Sequence, residues 1–271
     1  MYEYSVFEWI SFFMIYCFLG WMFESLYVSW ECKKWVNRGF LNGPFLPIYG
    51  FGAIIMLFVD LPVKNNIILI FLFGMMAATI LEYITGWAIE KMFKVRYWDY
   101  TYEPFNLNGY ICLECSLTWG FCSVILTKLI HSFVSKIVVE LDDLIVQIVA
   151  ILFFAYFLFD VIISVRQALD VRKIIIEYIK NNEEIKRIQK RIDVIVAVIN
   201  DDRENAKAEL EMLRKTIQER HQLFHEKTER LQKRALKVFK RNPKANNRIH
   251  LINNETIKNI LSSEFHFNKD N

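Results

Sequence analysis

Gly20-Trp21-Met22-Phe23-Glu24-Ser25, continued by Asn37-Arg38-Gly39-Phe40-Leu41-Asn42-Gly43-Pro44, decides how this chain is read. A carboxylate lies inside an apolar run, an arginine follows fourteen positions later, and a Gly/Asn turn leads into a second apolar run. A charge within hydrocarbon is costly and is kept where it faces a partner or a cavity. The pattern recurs: Leu81-Glu82-Tyr83 is followed, again fourteen positions on, by Arg96, then by Trp98-Asp99-Tyr100 and Asn106-Leu107-Asn108-Gly109. These residues predict two copies of a helix–loop–helix unit. If both copies cross a bilayer in the same sense, they form a parallel internal repeat about an axis along the membrane normal.

Working outward, five apolar runs approach the roughly 20 residues that a helix needs to cross about 30 Å of hydrocarbon. They lie near 9–30, 45–61, 67–89, 110–134 and 144–165, the second being short, with a tight approach at Pro44–Pro47 that allows a re-entrant turn. The expectation is an all-α, polytopic membrane domain over 1–165, followed by a helical, coiled-coil region over 166–241 and a loosely ordered polar tail over 242–271. Charge divides the same way. Residues 1–165 carry 9 Lys/Arg against 14 Asp/Glu, whereas 166–271 carry 24 against 16, so an apolar front joins a basic, polar back. No cleavable leader is expected, because the amino terminus has no basic residue before its first apolar run.

Basic residues set the orientation. Lys33, Lys34 and Arg38, then Lys91, Lys94 and Arg96, flank the two repeated loops, while the opposite side holds Lys64, Lys128 and Lys136. The expectation is N-out and C-in in the cell membrane, with both loops and the 166–271 segment in the cytoplasm.

The candidate site follows from the repeat. Glu24, Arg38, Asn42, Glu82, Arg96, Trp98, Asp99, Asn108 and Glu114 are expected to form a substrate-binding or structural polar core. Glu24 is expected to pair with Arg38 or Arg96, and Glu82 with the other, since a buried carboxylate pairs or stays protonated. Asp160 either joins this centre or offsets Arg166. A plainer reading stands beside this one. Trp21, Trp30, Trp35, Trp87 and Trp98 also suit an interfacial aromatic belt, and Arg38 and Arg96 could snorkel to lipid headgroups. The loops are rich in Phe, Trp, Tyr and Leu and so do not resemble flexible linkers. Cys17, Cys32, Cys112, Cys115 and Cys122 are odd in number and lie in or beside apolar runs, which argues against a disulfide framework. Cys112-Leu-Glu-Cys115 lacks the second pair that a metal site needs, and His221 and His225, one turn apart, are too few. Neither metal nor cofactor is expected.

Together these motifs, with Pro47-Ile48-Tyr49-Gly50-Phe51-Gly52, resemble the putative ABC-transporter type IV family, the CmpB-like putative permeases, over about residues 5–165. The resemblance implies a multi-span bacterial membrane protein of permease type and brings no catalytic residues with it. No G-x-x-x-x-G-K-[ST] phosphate loop occurs in the chain, so a separate ATPase subunit would have to hydrolyse nucleotide. Such a subunit would dock on the loops Glu31–Pro44 and Lys91–Gly109.

Beyond Arg166, Ile185, Ile188, Ile192, Ile195 and Ile199 recur at heptad spacing, and Ala206, Leu210, Leu213, Ile217, Phe224 and Leu231 resume it after a register shift. The stripe pairs either within the chain, as a hairpin broken at Asn181-Asn182 or Asn200-Asp201-Asp202, or between chains as a homodimer; self-association is slightly favoured. The basic Arg230–Arg241 stretch suits anionic lipid, and no nucleic-acid module is present. Three function classes follow: a permease or transporter subunit, a membrane scaffold or regulator recruiting partners through its coiled coil, and a membrane-embedded enzyme using Glu24, Glu82 and Asp99. The enzyme ranks last, because the spans are read as holding no histidine and no nucleophile or metal motif.

Overall fold

The computed structural model of the chain describes residues 4–198 and 203–242. Among these residues the fold is all-α, with no β-strand; an isolated bridge joins Leu107 and Ile111. In order, the helices are α1 (Val6–Cys32), α2 (Pro47–Asp60), α3 (Ile67–Phe93), α4 (Leu113–Ile125), α5 (His131–Glu140), α6 (Asp143–Val198) and α7 (Arg203–Arg241). A 3₁₀ turn, Leu61–Val63, ends α2, and a π turn, Leu126–Ile130, joins α4 to α5.

Four helical stretches are long and apolar enough to cross a membrane: Val6–Cys32, Ile67–Phe93, Leu113–Glu140 and Asp143–Ile192. The second expected span is the shorter apolar helix Pro47–Val63. Several helices differ in extent from the apolar runs. The fourth helix starts at Leu113 rather than Tyr110, because Cys112 is extended and caps it by accepting from the Cys115 N–H. The fifth runs on far past Val165, since α6 contains no break at Asn181-Asn182. The alternative break at Asn200-Asp201-Asp202 and the tail after Asn242 lie outside the described residues.

Local chemistry explains the main ends. Ser5 and Glu8 form a reciprocal capping box at the start of α1. Asn66 caps α3 by accepting from the Ile68 and Leu69 N–H groups, and Pro47 opens α2, where its missing N–H is not needed. α1 and α3 both end on a lysine in left-handed conformation, Lys33 and Lys94.

By packing, the described chain divides into two units, one built on the residues up to Arg166 together with the chain from Val238, the other on Gln167–Lys237. In the first, α2 packs between α1 and α3, and α3 packs on α4. Close approach needs small residues: a Cβ on Gly20 would fall 2.3 Å from the Tyr49 ring, and one on Gly120 2.6 Å from the Phe71 ring. Phe12, Tyr16, Leu57, Ala78 and Leu126 fill the core. Ile67, Ile68, Met76, Ile80 and Ile84 stand exposed along α3, as a face that meets lipid should. In the second unit, α7 runs back alongside α6: Glu177 meets Lys227, Glu184 meets Arg220, Arg191 meets Glu209, and the Tyr178 and Phe224 rings touch.

Candidate functional site

Glu24 lies two turns before the end of α1. The chain leaves that helix at Lys33 and is drawn back over it: Val36 N–H donates to Ser29 Oγ and Arg38 N–H to Ser25 Oγ, at 2.8 and 3.1 Å. Asn37 accepts from the Trp21 indole at 2.5 Å and donates to the Asn42 carbonyl. The loop is thus a fixed cap on α1, which sets the Arg38 guanidinium 3.6 Å from the Glu24 carboxylate. Tyr49, at the start of α2, donates its hydroxyl to the other Glu24 oxygen at 2.7 Å. Arg38 is shared, donating to the Tyr97 carbonyl at 3.2 Å and to the Asn242 side chain at 2.9 Å.

The Asn42-Gly43 end of this loop is held by Asp160 of α6. One carboxylate oxygen accepts from the Asn42 backbone and side chain, both at 3.1 Å, and the other from the Gly43 N–H at 2.7 Å. Asn42 also donates to Ser164, one turn on. Asp160 therefore uses its charge on the loop, and none of the described ion pairs joins it to Arg166. Position 43 must be glycine: a Cβ there would stand 2.7 Å from the Tyr156 hydroxyl and 3.0 Å from Asp160.

The second loop is organised by its arginine. Arg96 is 2 % exposed and meets Glu90, Asp99 (3.0 Å) and the Asn108 carbonyl (2.9 Å), with its guanidinium 4.5 Å from the centre of the Tyr110 ring. Burial opposes its charge, but Glu90 and Asp99 more than offset this, and its pKa is raised. The snorkelling reading fails for Arg96, whose side chain is enclosed by its own loop. Trp98 donates to the Tyr110 carbonyl and Asn108 to the Tyr83 hydroxyl. Asn108 and Gly109 carry positive φ (55° and 71°), conformations that Asn and Gly tolerate best.

Glu82, almost three turns inside α3 and 5 % exposed, does not pair with Arg96. It accepts from the Trp119 indole at 2.9 Å and the Tyr100 hydroxyl at 3.3 Å. Half of the expected pairing holds: Glu24 has its arginine, while Glu82 faces neutral donors, because Glu90 and Asp99 compete for Arg96 from closer in sequence. Tyr49 and Trp119 meet edge to face, with centroids 5.7 Å apart. Glu24–Tyr49–Trp119–Glu82 is therefore a continuous chain of contacts across the bundle. Glu114 takes no part in it and stands exposed in the first turn of α4.

The two loops meet directly. Phe40 packs on Phe93 and Tyr97, and Arg38 reaches the Tyr97 carbonyl. Three features lie outside the sequence reading. Asn242, 1 % exposed, binds both Arg38 and the Gly39 carbonyl, two hundred residues away in sequence, with no local signal to announce it. Asp60 is fully buried at the end of α2; its place as the last polar residue of an apolar run was a signal available in the sequence. His131, buried with Nδ1 2.8 Å from the Tyr16 hydroxyl, lies within the stretch Leu113–Glu140 and corrects the reading that the spans hold no histidine. The described residues include no group of three or more His, Cys, Asp or Glu suited to a metal, and the His225 side chain is outside them.

The family model described as putative ABC-transporter type IV matches residues 11–165, which include both loops, both glutamates and Asp160. No curated protein and no solved structure matches the chain.

Proposed function

The chain belongs to the putative ABC-transporter type IV family, and from that premise we propose that it is a permease component whose polar centre is the Glu24–Tyr49–Trp119–Glu82 chain. As a multi-pass membrane protein it is a transport component of the bilayer. The observation that carries it is Glu82. A buried carboxylate in an apolar bundle is expensive unless compensated, and this one has two neutral donors and no cation among the described ion pairs. Tyr49, Tyr100 and Trp119 give their polar edges to the two carboxylates, and the centre suits a solute with a cationic group, which carboxylates and aromatic rings both attract. Arg38 serves as the resident cation at Glu24, displaced when the solute arrives, and the two loops form the closure at that end.

The internal repeat belongs to this reading. Phe13, Glu24 and Arg38 share one displacement along the chain with Phe71, Glu82 and Arg96. Their partners correspond too: Tyr49, Gly50 and Phe51 in one copy, Trp119, Gly120 and Phe121 in the other. Phe13 packs on Phe51 and Phe71 on Phe121, edge to face in both cases. Tyr49 and Trp119 each give a hydrogen bond to their own copy's glutamate. These equivalences support a parallel pair of units meeting at Tyr49 and Trp119. With N-out, C-in orientation the loops face the cytoplasm, where a separate ATPase subunit would dock.

Cysteine accessibility tests the proposal. In a cysteine-free background reconstituted in liposomes, Glu82→Cys should react with a membrane-impermeant, cationic thiosulfonate far faster than Ile84→Cys, which stands on the exposed face of the same helix. Equal, slow labelling at both positions would show a sealed centre and refute a permease built on Glu82.

The scaffold reading keeps one observation in its favour: Met212 and Leu223 stand exposed on α7. Pairing of α6 with α7 inside one chain already uses Glu177, Glu184 and Arg191, which weighs against a homodimer through this region. Light scattering of the full chain in nanodiscs separates the two, a monomer favouring the hairpin and a dimer the intermolecular coil.

A further inference from the structure

Asp60 ends α2 at the α2–α3 turn, at the opposite end of α2 from the repeated loops, and is fully buried. One carboxylate oxygen, Oδ2, accepts from Ser123 Oγ and, at 3.0 Å, from Thr127 Oγ1. The other, Oδ1, is buried with no hydrogen-bond partner among the described residues. No Lys, Arg or His forms an ion pair with Asp60 among them. Ser123 Oγ also lies 3.4 Å from the Ile70 carbonyl oxygen, and its single hydrogen cannot serve both that acceptor and the carboxylate. The cluster therefore holds more oxygen lone pairs than protons to meet them.

We propose that Asp60, Ser123 Oγ, Thr127 Oγ1 and the Ile70 carbonyl form a binding site for a monovalent alkali cation. The ligand set is all oxygen, which suits a hard cation, and contains neither thiol nor imidazole. Its formal charge is a single negative one, so a monovalent ion neutralises it where a divalent ion would leave a buried positive charge. A proton fits less well. Placed on Oδ1 it has no acceptor, and placed on Oδ2 it must reverse the hydroxyls already donating there, while Oδ1 stays bare. A cation at Oδ1 supplies the missing partner and relieves the competition for the Ser123 hydrogen.

Two features of the surroundings fit a site rather than an accident of packing. Thr127 sits in the π turn between α4 and α5, a wide turn of the kind often found at functional positions. Gly74 of α3 lets Ser123 approach the carboxylate: a Cβ at position 74 would collide with the Ser123 hydroxyl and stand 3.4 Å from Asp60 Oδ2. The site shares no residue with the Glu24–Glu82 centre and stands whether or not that centre carries a solute.

The test uses the full chain in lipid nanodiscs at fixed ionic strength and pH. Binding of radioactive sodium is measured on the wild type, and thermal unfolding is followed in sodium, potassium and choline chlorides. At least one alkali cation should raise the melting temperature over choline by a few degrees. Asp60→Asn should abolish the shift and the bound sodium. Thr127→Val, which keeps shape and removes one oxygen, should raise the half-saturating concentration by about tenfold, and it decides the matter should Asp60→Asn fail to fold. A wild type that binds no sodium and melts alike in all three salts overturns the proposal. So does a stabilisation that follows pH instead of alkali cation and vanishes in Asp60→Asn, since the occupant would then be a proton.

Discussion

At the residue scale, the site depends on where single charges find partners. Arg96 addresses Glu90, Asp99, the Asn108 carbonyl and the Tyr110 face at once, which a planar guanidinium does and a point-charge ammonium does not. Arg96→Lys should therefore lower stability by about 2 kcal/mol, through acceptors left unpaired in a closed loop, despite its unchanged charge. Asp160→Asn should cost about 2–3 kcal/mol, because an amide has one acceptor oxygen where the Asn42 and Gly43 donors now share two. Unfolding by detergent titration in mixed micelles measures both; losses within about 0.5 kcal/mol, the range of ordinary surface changes, would count against these networks. Glu82→Gln should lower the folded yield, whereas Glu8→Gln should be silent, since glutamine also completes a capping box. Equal tolerance of the two changes would remove the special standing of Glu82.

At the element scale, the helices were legible and several of their partnerships were not. Apolar length alone marks the four helices long enough to cross a membrane, because a hydrocarbon-crossing helix must satisfy its backbone internally and shows itself as a long apolar run. The shorter α2 shows the same apolar run over fewer residues. Asn42-Gly43 and Asn108-Gly109 marked ordered turns, as their positive φ or crowded backbone demands. What the sequence could not disclose was competition. Nothing in the spacing of Glu82 and Arg96 shows that Glu90 and Asp99 stand nearer to the arginine, nor that Asp160 would spend its charge on a loop more than a hundred residues upstream. The docking of Asn242, just past the end of α7, is equally silent in the sequence. Asn242→Ala should free the Arg38 side chain and the Gly39 carbonyl. Amide exchange at residues 37–43 should then rise, by about tenfold for a loss near 1.4 kcal/mol; unchanged exchange would show that the loop is held without Asn242.

At the scale of the whole molecule, the hydrogen-bond networks of Glu24 and Glu82 are in contact. Tyr49 donates to Glu24 and Trp119 to Glu82, and those two rings touch. A pair of independent structural braces would have no such contact. The measurement that tests this most directly is a double-mutant cycle on unfolding free energy in lipid, using Glu24→Gln, Glu82→Gln and the combined variant. Residues joined through one network couple by about 0.5–3 kcal/mol, and the account predicts a coupling in that range. Additivity within about 0.3 kcal/mol, the behaviour of independent sites, would contradict a shared centre.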